Sequence, residues 1–305
     1  MRRHLLSARA QLFGSAVFFG LMAALARLGT RDAGGFTAPQ MATVRFAIGT
    51  ALALALFRLR PGTFRPVRHR LLITRGALGA LAALLYFVAL SRIPAGEATL
   101  LNNTFPVFAT ILSIYTLGER PTIHLAIALA VVTGGVFLVV GPGSGSFGVG
   151  LGEVAGILSA LLGAGAITSI RALRATDNAP TIFFVFCLGG LVVSAPLAFG
   201  SWPAGALPWA IAAAVGVSSF FAQILMTQAY GALTVPEAAL WQQLTPVASY
   251  LWALGLLDER LSRLGVVGIL LGGLGVAYGT VFGHRPAGGR PGRAAADEVE
   301  RADAA

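Results

Sequence analysis

The stretch GEATLLNNTFPVFATILSIYTLGER, residues 96–120, decides the fold because a second copy of it follows 140 residues later. The copy is PEAALWQQLTPVASYLWALGLLDER, residues 236–260. Without a gap the two stretches match at Glu97 and Glu237, Ala98 and Ala238, Leu100 and Leu240, Pro106 and Pro246, Val107 and Val247, Leu117 and Leu257, Glu119 and Glu259, and Arg120 and Arg260. Each copy is an apolar segment of membrane-spanning length with a central proline. Two copies of a membrane bundle around a shared midplane are typical of transporters.

The composition indicates a membrane protein with many spans. Apolar residues make up 56% of the 305-residue chain and charged residues only 11%, which leaves too little polar surface for a soluble domain. One span of the hydrocarbon core needs about 20 residues. Ten such segments are present: 10–29, 39–57, 71–91, 96–117, 121–141, 150–170, 180–200, 208–230, 236–257 and 262–283.

The ten segments divide into two sets of five. We expect an all-α membrane protein with a first repeat at 10–141, a linker at 142–149 and a second repeat at 150–283. Because five is odd, the second repeat enters the membrane in the opposite orientation, so the repeats are inverted around a central cavity. Residues 284–305 are rich in Pro, Gly and Ala and are predicted to be a disordered tail.

The distribution of basic residues predicts the orientation. All 22 are arginine, and placing the N-terminus in the cytoplasm puts 15 of them inside and 5 outside, with Arg45 and Arg75 left within spans. Both termini are then cytoplasmic. The net charge of +10 is explained by this bias and by attraction to anionic lipid, so we expect no nucleic-acid partner.

The tract RGALGALAALLYFVALSRIPAGEATLLNNTFPVFATILSIYTLGE, residues 75–119, resembles the drug/metabolite transporter superfamily, and in particular its EamA-type members with two five-helix repeats. The likeness extends over about residues 10–283. It implies a helical basket that moves a small organic solute by alternating access, in the inner membrane of a bacterium. Export is the commoner direction among bacterial relatives, but the resemblance specifies no substrate.

Arg45 is the strongest candidate for contact with a solute. It lies about six residues inside the outer end of span two, or about 9 Å deep at 1.5 Å per residue. A charge facing lipid at such a position costs about 2.5–3.5 kcal/mol, so the side chain is expected to face the cavity or a partner. Binding an anionic group is one reading; a structural clamp, or an arginine snorkelling to the outer headgroups, is the other.

Polar side chains inside spans supply the other cavity candidates. Spans four and nine carry amide pairs at equivalent positions, with Trp241 proposed as a wall of the same site. Span eight adds a polar face, and span three adds one tyrosine near its outer end. These candidates are Tyr86, Asn102, Asn103, Gln223, Thr227, Trp241, Gln242 and Gln243. Hydrogen bonding between helices is the alternative for the amides, and an interfacial anchor is the alternative for Tyr86.

Two glutamates and two prolines are candidates for gating or for proton coupling. Glu97 and Glu237 begin spans four and nine at opposite mouths of the pathway. An acid in the first turn of a helix also stabilises the helix dipole, which is a purely structural reading. Pro106 and Pro246 are expected to bend their helices near the midplane and to free a carbonyl group there.

Span ten contains a stripe of glycines at Gly265, Gly268, Gly272, Gly275 and Gly279, which lets another helix approach closely. Packing within the bundle and a homodimer contact are both open for this surface. We expect no cofactor, metal site or catalytic residue, because the GSGSFG tract at 143–148 lacks a surrounding βαβ unit and no histidine has a second ligand at metal spacing.

The function predicted from the sequence is therefore secondary transport without ATP, and not enzyme activity. Two alternatives remain. One is a sensor or assembly protein that keeps the fold without transport, and the other is a membrane-embedded lipid-modifying enzyme. The enzyme would need clustered acids, histidines or a metal within its spans.

Overall fold

The computed structural model describes residues 2–30, 35–92, 98, 101–119, 121–140, 150–256 and 263–282. Within these ranges eleven α-helices have described bounds. They are α1 Arg2–Thr30, α2 Ala38–Leu59, α3 His69–Arg92, α4 Phe105–Leu117, α5 Ile123–Val140, α6 Leu151–Leu173, α7 Ala179–Ser194, α8 Ala206–Ala229, α9 Val235–Gln242, α10 Leu244–Leu256 and α11 Arg263–Phe282. The predicted linker at 142–149 and tail at 284–305 lie outside the described residues.

Three helices begin with the same local arrangement, a polar N-cap residue followed two residues later by proline. Thr37 caps α2, Asn178 caps α7 and Thr234 caps α9. The Asn178 side chain, for example, accepts a hydrogen bond from the Thr181 backbone N–H at 2.9 Å. Proline fits there because the first turn leaves its backbone nitrogens without helical partners, so each helix start is fixed locally by sequence.

Six helices are long and apolar enough to cross a membrane: Leu5–Thr30, Ala38–Leu59, His69–Arg92, Leu151–Leu173, Ala179–Leu197 and Ala206–Ala229. Their outer faces expose large apolar side chains such as Leu54, Leu161 and Val192, as lipid contact requires. The other described apolar stretches are shorter than 18 residues, namely Phe105–Leu117, Ile123–Gly135 and Val266–Phe282. Six of the ten predicted spans are therefore confirmed by length and composition.

Spans four and nine are assigned as shorter helices because the regular hydrogen bonding of each is interrupted about one turn before its proline. Asn103 and Thr104 form a turn before α4, and Pro106 lies in the first turn of that helix. In span nine, α9 ends at Gln242 and α10 begins at Leu244, so Pro246 occupies the equivalent early position. Thr104 and Gln243 keep right-handed helical backbone angles, so it is the hydrogen bonding that is interrupted. Proline has no N–H to pair with the carbonyl group four residues earlier, at Asn102 or Gln242.

The packing of the helices relates the two halves to each other. In the first half α1 packs on α8 and α10, and in the second half the counterpart helix α6 packs on α3 and α4. Likewise α2 packs on α7 and α8, while α7 packs on α2 and α3. The remaining principal pairs are α5 with α11 and α4 with α9. When each helix is assigned to its span, exchanging every span for its counterpart in the other half leaves this set of pairs unchanged.

The glycine stripe of α11 packs inside the chain, against α5. A Cβ atom added at Gly135 of α5 would lie 2.7 Å from the Gly268 carbonyl oxygen and 2.8 Å from the Gly272 nitrogen. A Cβ atom at Gly275 would overlap the Val132 side chain and lie 3.2 Å from the Ala128 carbonyl oxygen. Of the two possibilities left open for this stripe, these contacts are packing within the bundle, because the glycines allow α5 and α11 to approach closely. A homodimer contact is not shown.

Candidate functional site

A cavity lies at the centre of the bundle and is lined by both repeats. It encloses about 870 Å³ of empty space, counting the part that opens at its mouth. Its apolar wall includes Phe19, Met22, Phe105, Ile167 and Met226. Its polar wall consists of Arg45, Arg75, Tyr86, Asn102, Asn103, Ser159, Gln223, Gln242 and Thr245. An apolar enclosure with a few polar groups is the usual form of a site for a small molecule.

Arg45 of α2 lines this cavity, and only 5% of its surface is exposed. Its Nε atom donates a hydrogen bond to Ser219 Oγ of α8 at 2.6 Å. The guanidinium carbon lies 5.2 Å from the ring centroid of Phe46 and 5.8 Å from that of Phe186. Aromatic faces attract a cation in this range, so they hold the charge inside the bundle and away from lipid.

Arg75 of α3 is the functional candidate that sequence reasoning missed. It lines the same cavity with 3% of its surface exposed, and its guanidinium carbon lies 4.3 Å from the Phe186 ring centroid. One amino group donates to Gln223 Oε1 at 3.4 Å, while Nε and NH1 have no hydrogen-bond partner among the described residues. The signal for it was in the sequence, since an arginine inside a span is expensive unless it serves a site.

The amide candidates of spans four and nine take different positions. Asn102, Asn103 and Gln242 line the cavity. Asn102 Nδ2 donates to Ser159 Oγ at 2.8 Å, which ties the break in span four to α6. Gln243 is fully buried, and its Nε2 atom donates to the Asn103 carbonyl oxygen at 3.2 Å and to Thr133 Oγ1 at 3.3 Å. Its amide therefore joins the two interrupted spans.

Among the other candidates, Tyr86 and Gln223 line the cavity, whereas Thr227 and Trp241 do not. Thr227 is on the same side of α8 as Gln223 but one turn further along, and it is buried. Trp241 is half-buried and packs against an apolar cluster that includes Leu240. The predicted polar face of α8 therefore reaches the cavity only at Gln223.

Two ion pairs lie at one end of the bundle, where α1 begins and α4 and α6 end. Arg9 of α1 pairs with Glu237 of α9 at 3.0 Å between NH2 and Oε1. Arg171 of α6 pairs with Glu119, just after α4, at 3.3 Å between Nε and Oε1. We call these four residues the end latch. Both pairs join a helix of the first half to a helix of the second.

Glu119 also holds the start of α9. Its Oε2 atom accepts a hydrogen bond from the Val235 backbone N–H at 2.8 Å, at the positive end of that helix dipole. Burial raises the pKa of the Glu119 carboxyl above its ordinary value, although the Val235 hydrogen bond and the Arg171 charge oppose this shift. The carboxyl therefore takes up a proton at a higher pH than an exposed glutamate does. Glu97, the other predicted gating acid, lies outside the described residues.

Long apolar helices around a polar, arginine-lined cavity define a multi-pass membrane protein of the transporter class. Two separate matches to one family, at residues 7–141 and 150–280, make the assignment more specific. The chain belongs to the EamA-like transporter family. Members of this family are transporters and not enzymes, and the predicted EamA resemblance is confirmed.

The chain is also similar to a characterised relative and to a solved structure. It is 33% identical over 195 residues to the pseudopaline exporter CntI in each of two strains of Pseudomonas aeruginosa. That alignment covers 63% of this chain and 68% of the relative. A protein known from its crystal structure superposes with a TM-score of 0.76 over 90% of this chain and 97% of its own, at 21% identity, which shows a shared fold.

Proposed function

We propose that this protein is a secondary transporter that exports or exchanges a small organic metabolite or drug by alternating access. The observation that carries the proposal is a cavity lined by both repeats, together with ion pairs that join the two halves at one end of the bundle. A path through this end requires the end latch to open. Ion pairs that join two halves of a bundle are contacts that a relative movement of the halves can break and re-form during transport.

The exchange of packing partners between the halves supports two inverted five-helix repeats with ten spans. We place the repeats at residues 10–141 and 150–283. In an inverted repeat the contacts that close one end have counterparts that close the other, and this is the structural basis of alternating access. The breaks before Pro106 and Pro246 lie at equivalent points of spans four and nine, where movement would change the cavity most directly.

The arginine bias supports a cytoplasmic location for both termini, which makes the latched end the cytoplasmic end. The protein would then lie in a bacterial inner membrane. Export is supported by the name of the relative, a pseudopaline exporter. The solute contacts we propose are the polar lining residues of the cavity, with Arg45 binding an anionic group. Glu237 is the proposed coupling residue because it sits within the latch.

Immobilising the latch tests alternating access even while the solute is unidentified. The described chain has one free cysteine, Cys187, which is buried, so new thiols can be labelled selectively. The double variant Glu119→Cys with Arg171→Cys would be treated with a reducible bifunctional thiol reagent that is long enough to replace the ion pair. Metabolites released by intact cells would be followed by mass spectrometry, with vector-only cells as the baseline.

We expect the cross-link to stop release of any metabolite that depends on the chain, and reduction of the cross-link to restore it. Each single-cysteine variant, treated in the same way, is the matched control and should keep its activity. Undiminished release from fully cross-linked protein would rule out opening of the latched end during transport. Release identical to that of vector-only cells, before any cross-linking, would count against transport itself.

A further inference from the structure

The cavity concentrates two positive charges in one place. The guanidinium carbons of Arg45 and Arg75 lie 5.8 and 4.3 Å from the centroid of the same Phe186 ring, and these distances together limit their separation to about 10 Å. Both side chains are at least nine-tenths buried, at 5% and 3% exposure. Two like charges this close repel strongly where water is scarce, so the arrangement needs a compensating charge.

No carboxylate among the described residues supplies that charge. The described acids are four, and none of them lines the cavity. Glu119 and Glu237 form the end latch with their arginine partners. Asp177 accepts a hydrogen bond from the Val67 backbone N–H at 2.8 Å, and Glu153 accepts one from the Gly150 backbone N–H at 3.0 Å. The described part of the cavity therefore carries two positive charges and no negative one.

The surroundings of Arg75 keep its donors available. A Cβ atom at position 79, one turn along α3, would overlap Arg75 NH1, so glycine at that position makes room for the guanidinium group. Gln223 and the Phe186 ring hold the group from two sides. Nε and NH1 remain without a partner in the described part of the chain, although buried donors are almost always paired. Unpaired donors beside a cavity point to a ligand that accepts from them.

We propose that the cavity binds a small organic solute with two negative charges, which Arg45 and Arg75 neutralise together. This inference rests on the proposed function and specifies its substrate class. A guanidinium group matches carboxylate and phosphate oxygens in a bidentate manner, so either a dicarboxylate or a phosphate monoester provides the required chemistry. The apolar wall formed by residues such as Phe19 and Met226 contacts the uncharged body of the solute, and Gln242 offers an amide to its other polar groups.

The experiment measures binding to the purified full-length protein in detergent at low ionic strength, by thermal shift over a concentration series. The probes are glutarate, its monoamide glutaramate, and glycerol 3-phosphate. The variants are Arg45→Gln and Arg75→Gln. The control is Arg92→Gln, which changes an exposed arginine on the same helix as Arg75.

We expect at least one dianion to raise the melting temperature, and glutaramate to bind much more weakly than glutarate. Each cavity variant should weaken binding of the dianion by roughly 10- to 100-fold, since a hydrogen bond to a charged group is lost. Arg92→Gln should leave the affinity unchanged. Comparing glutarate with glutaramate on the unsubstituted protein requires no variant, so the test stands even if a variant fails to fold.

Three results would overturn the proposal: equal binding of glutarate and glutaramate, binding of a dianion that both cavity variants retain, or no shift with either dianion. Binding of glutarate but not of glycerol 3-phosphate would identify a dicarboxylate as the solute. The reverse result would identify a phosphate monoester. Failure of the proposed function is a different outcome. In that case the purified protein would still bind a dianion through its two arginines, but cells carrying the protein would release no more metabolite than vector-only cells.

Discussion

Adding one methyl group at Gly79 should displace Arg75 while leaving every charge of the protein in place. The Cβ atom of alanine at this position would overlap Arg75 NH1 and would lie 3.0 Å from Cδ2 of the buried Phe186 ring. The guanidinium group is the flexible member of this set and must leave the ring face. Gly163→Ala is the matched control because Gly163 lines the same cavity, and its new Cβ would meet only Phe105 Cβ, at 3.9 Å.

The two variants should differ measurably in stability. Both replace glycine inside a helix by alanine, which favours the helix by about 1 kcal/mol. Gly163→Ala keeps this gain because the new methyl group meets ordinary van der Waals distances. Gly79→Ala loses the contact between Arg75 and Phe186, which is worth about 2 kcal/mol for a desolvated cation. The free energies of unfolding of the two variants should therefore differ by about 2 kcal/mol, with Gly79→Ala the less stable.

Thermal unfolding of the two purified variants, with and without a dianion, measures both consequences. Gly79→Ala should also weaken dianion binding by about tenfold or more, because a misplaced donor cannot keep a charged hydrogen bond. Gly163→Ala should bind as the unsubstituted protein does. If Gly79→Ala and Gly163→Ala had equal melting temperatures and equal affinities for the dianion, the position of Arg75 against Gly79 and Phe186 would be refuted. The reason given for glycine at position 79 would then be wrong as well.

Other contacts make separate predictions. Gly135→Ala should lower the free energy of unfolding by about 1–3 kcal/mol, because its methyl group meets the backbone of α11. Gly134→Ala is the control: its methyl group meets nothing within 4 Å, so the variant should be neutral or stabilising in the same thermal assay. A double-mutant cycle with Glu119→Gln and Arg171→Gln should give a coupling of about 0.5–3 kcal/mol, and additive effects would exclude a working ion pair. Glu237→Gln should abolish the dependence of transport on a pH gradient, and unchanged proton-driven transport in vesicles would remove it as the coupling residue.

The sequence alone located the repeat and the depth of its polar residues. A repeat with a fixed offset is visible from the residues of each segment alone. The repeated span, and polar groups within it such as Asn102 and Gln242, could therefore be found by counting along the sequence. The breaks in spans four and nine were harder to predict. Counting places a proline in the middle of each span, but it does not give the number of helical hydrogen bonds that are lost there. At Pro106 the loss extends to the turn at Asn103 and Thr104.

Contacts between distant residues could not be read from spacing. Glu119 and Arg171 are 52 positions apart, and nothing in the pattern of either helix indicates the other. The sequence also did not show how far the cavity extends along α8. Gln223 and Thr227 lie on the same face of that helix, but Gln223 lines the cavity, whereas Thr227, one turn further along, is buried outside it. Arg75 was overlooked for a different reason. Its position within a span was visible, but only the arrangement around Phe186 shows that it shares a site with Arg45.

The repeat is symmetric, but the charge in the cavity is not. The offset of 140 residues relates Arg45 to Val185 and Arg75 to Val215, so the first half supplies both guanidinium groups and the second half supplies valines at the equivalent positions. From the second half, Ser219 and Gln223 contribute neutral partners that orient the arginines. The interrupted spans, in contrast, are paired. With the proposed transport function, we expect movement to depend on features common to both halves and selectivity to depend on α2 and α3. Substitutions in α2 and α3 would then change the solute without altering the paired helix breaks.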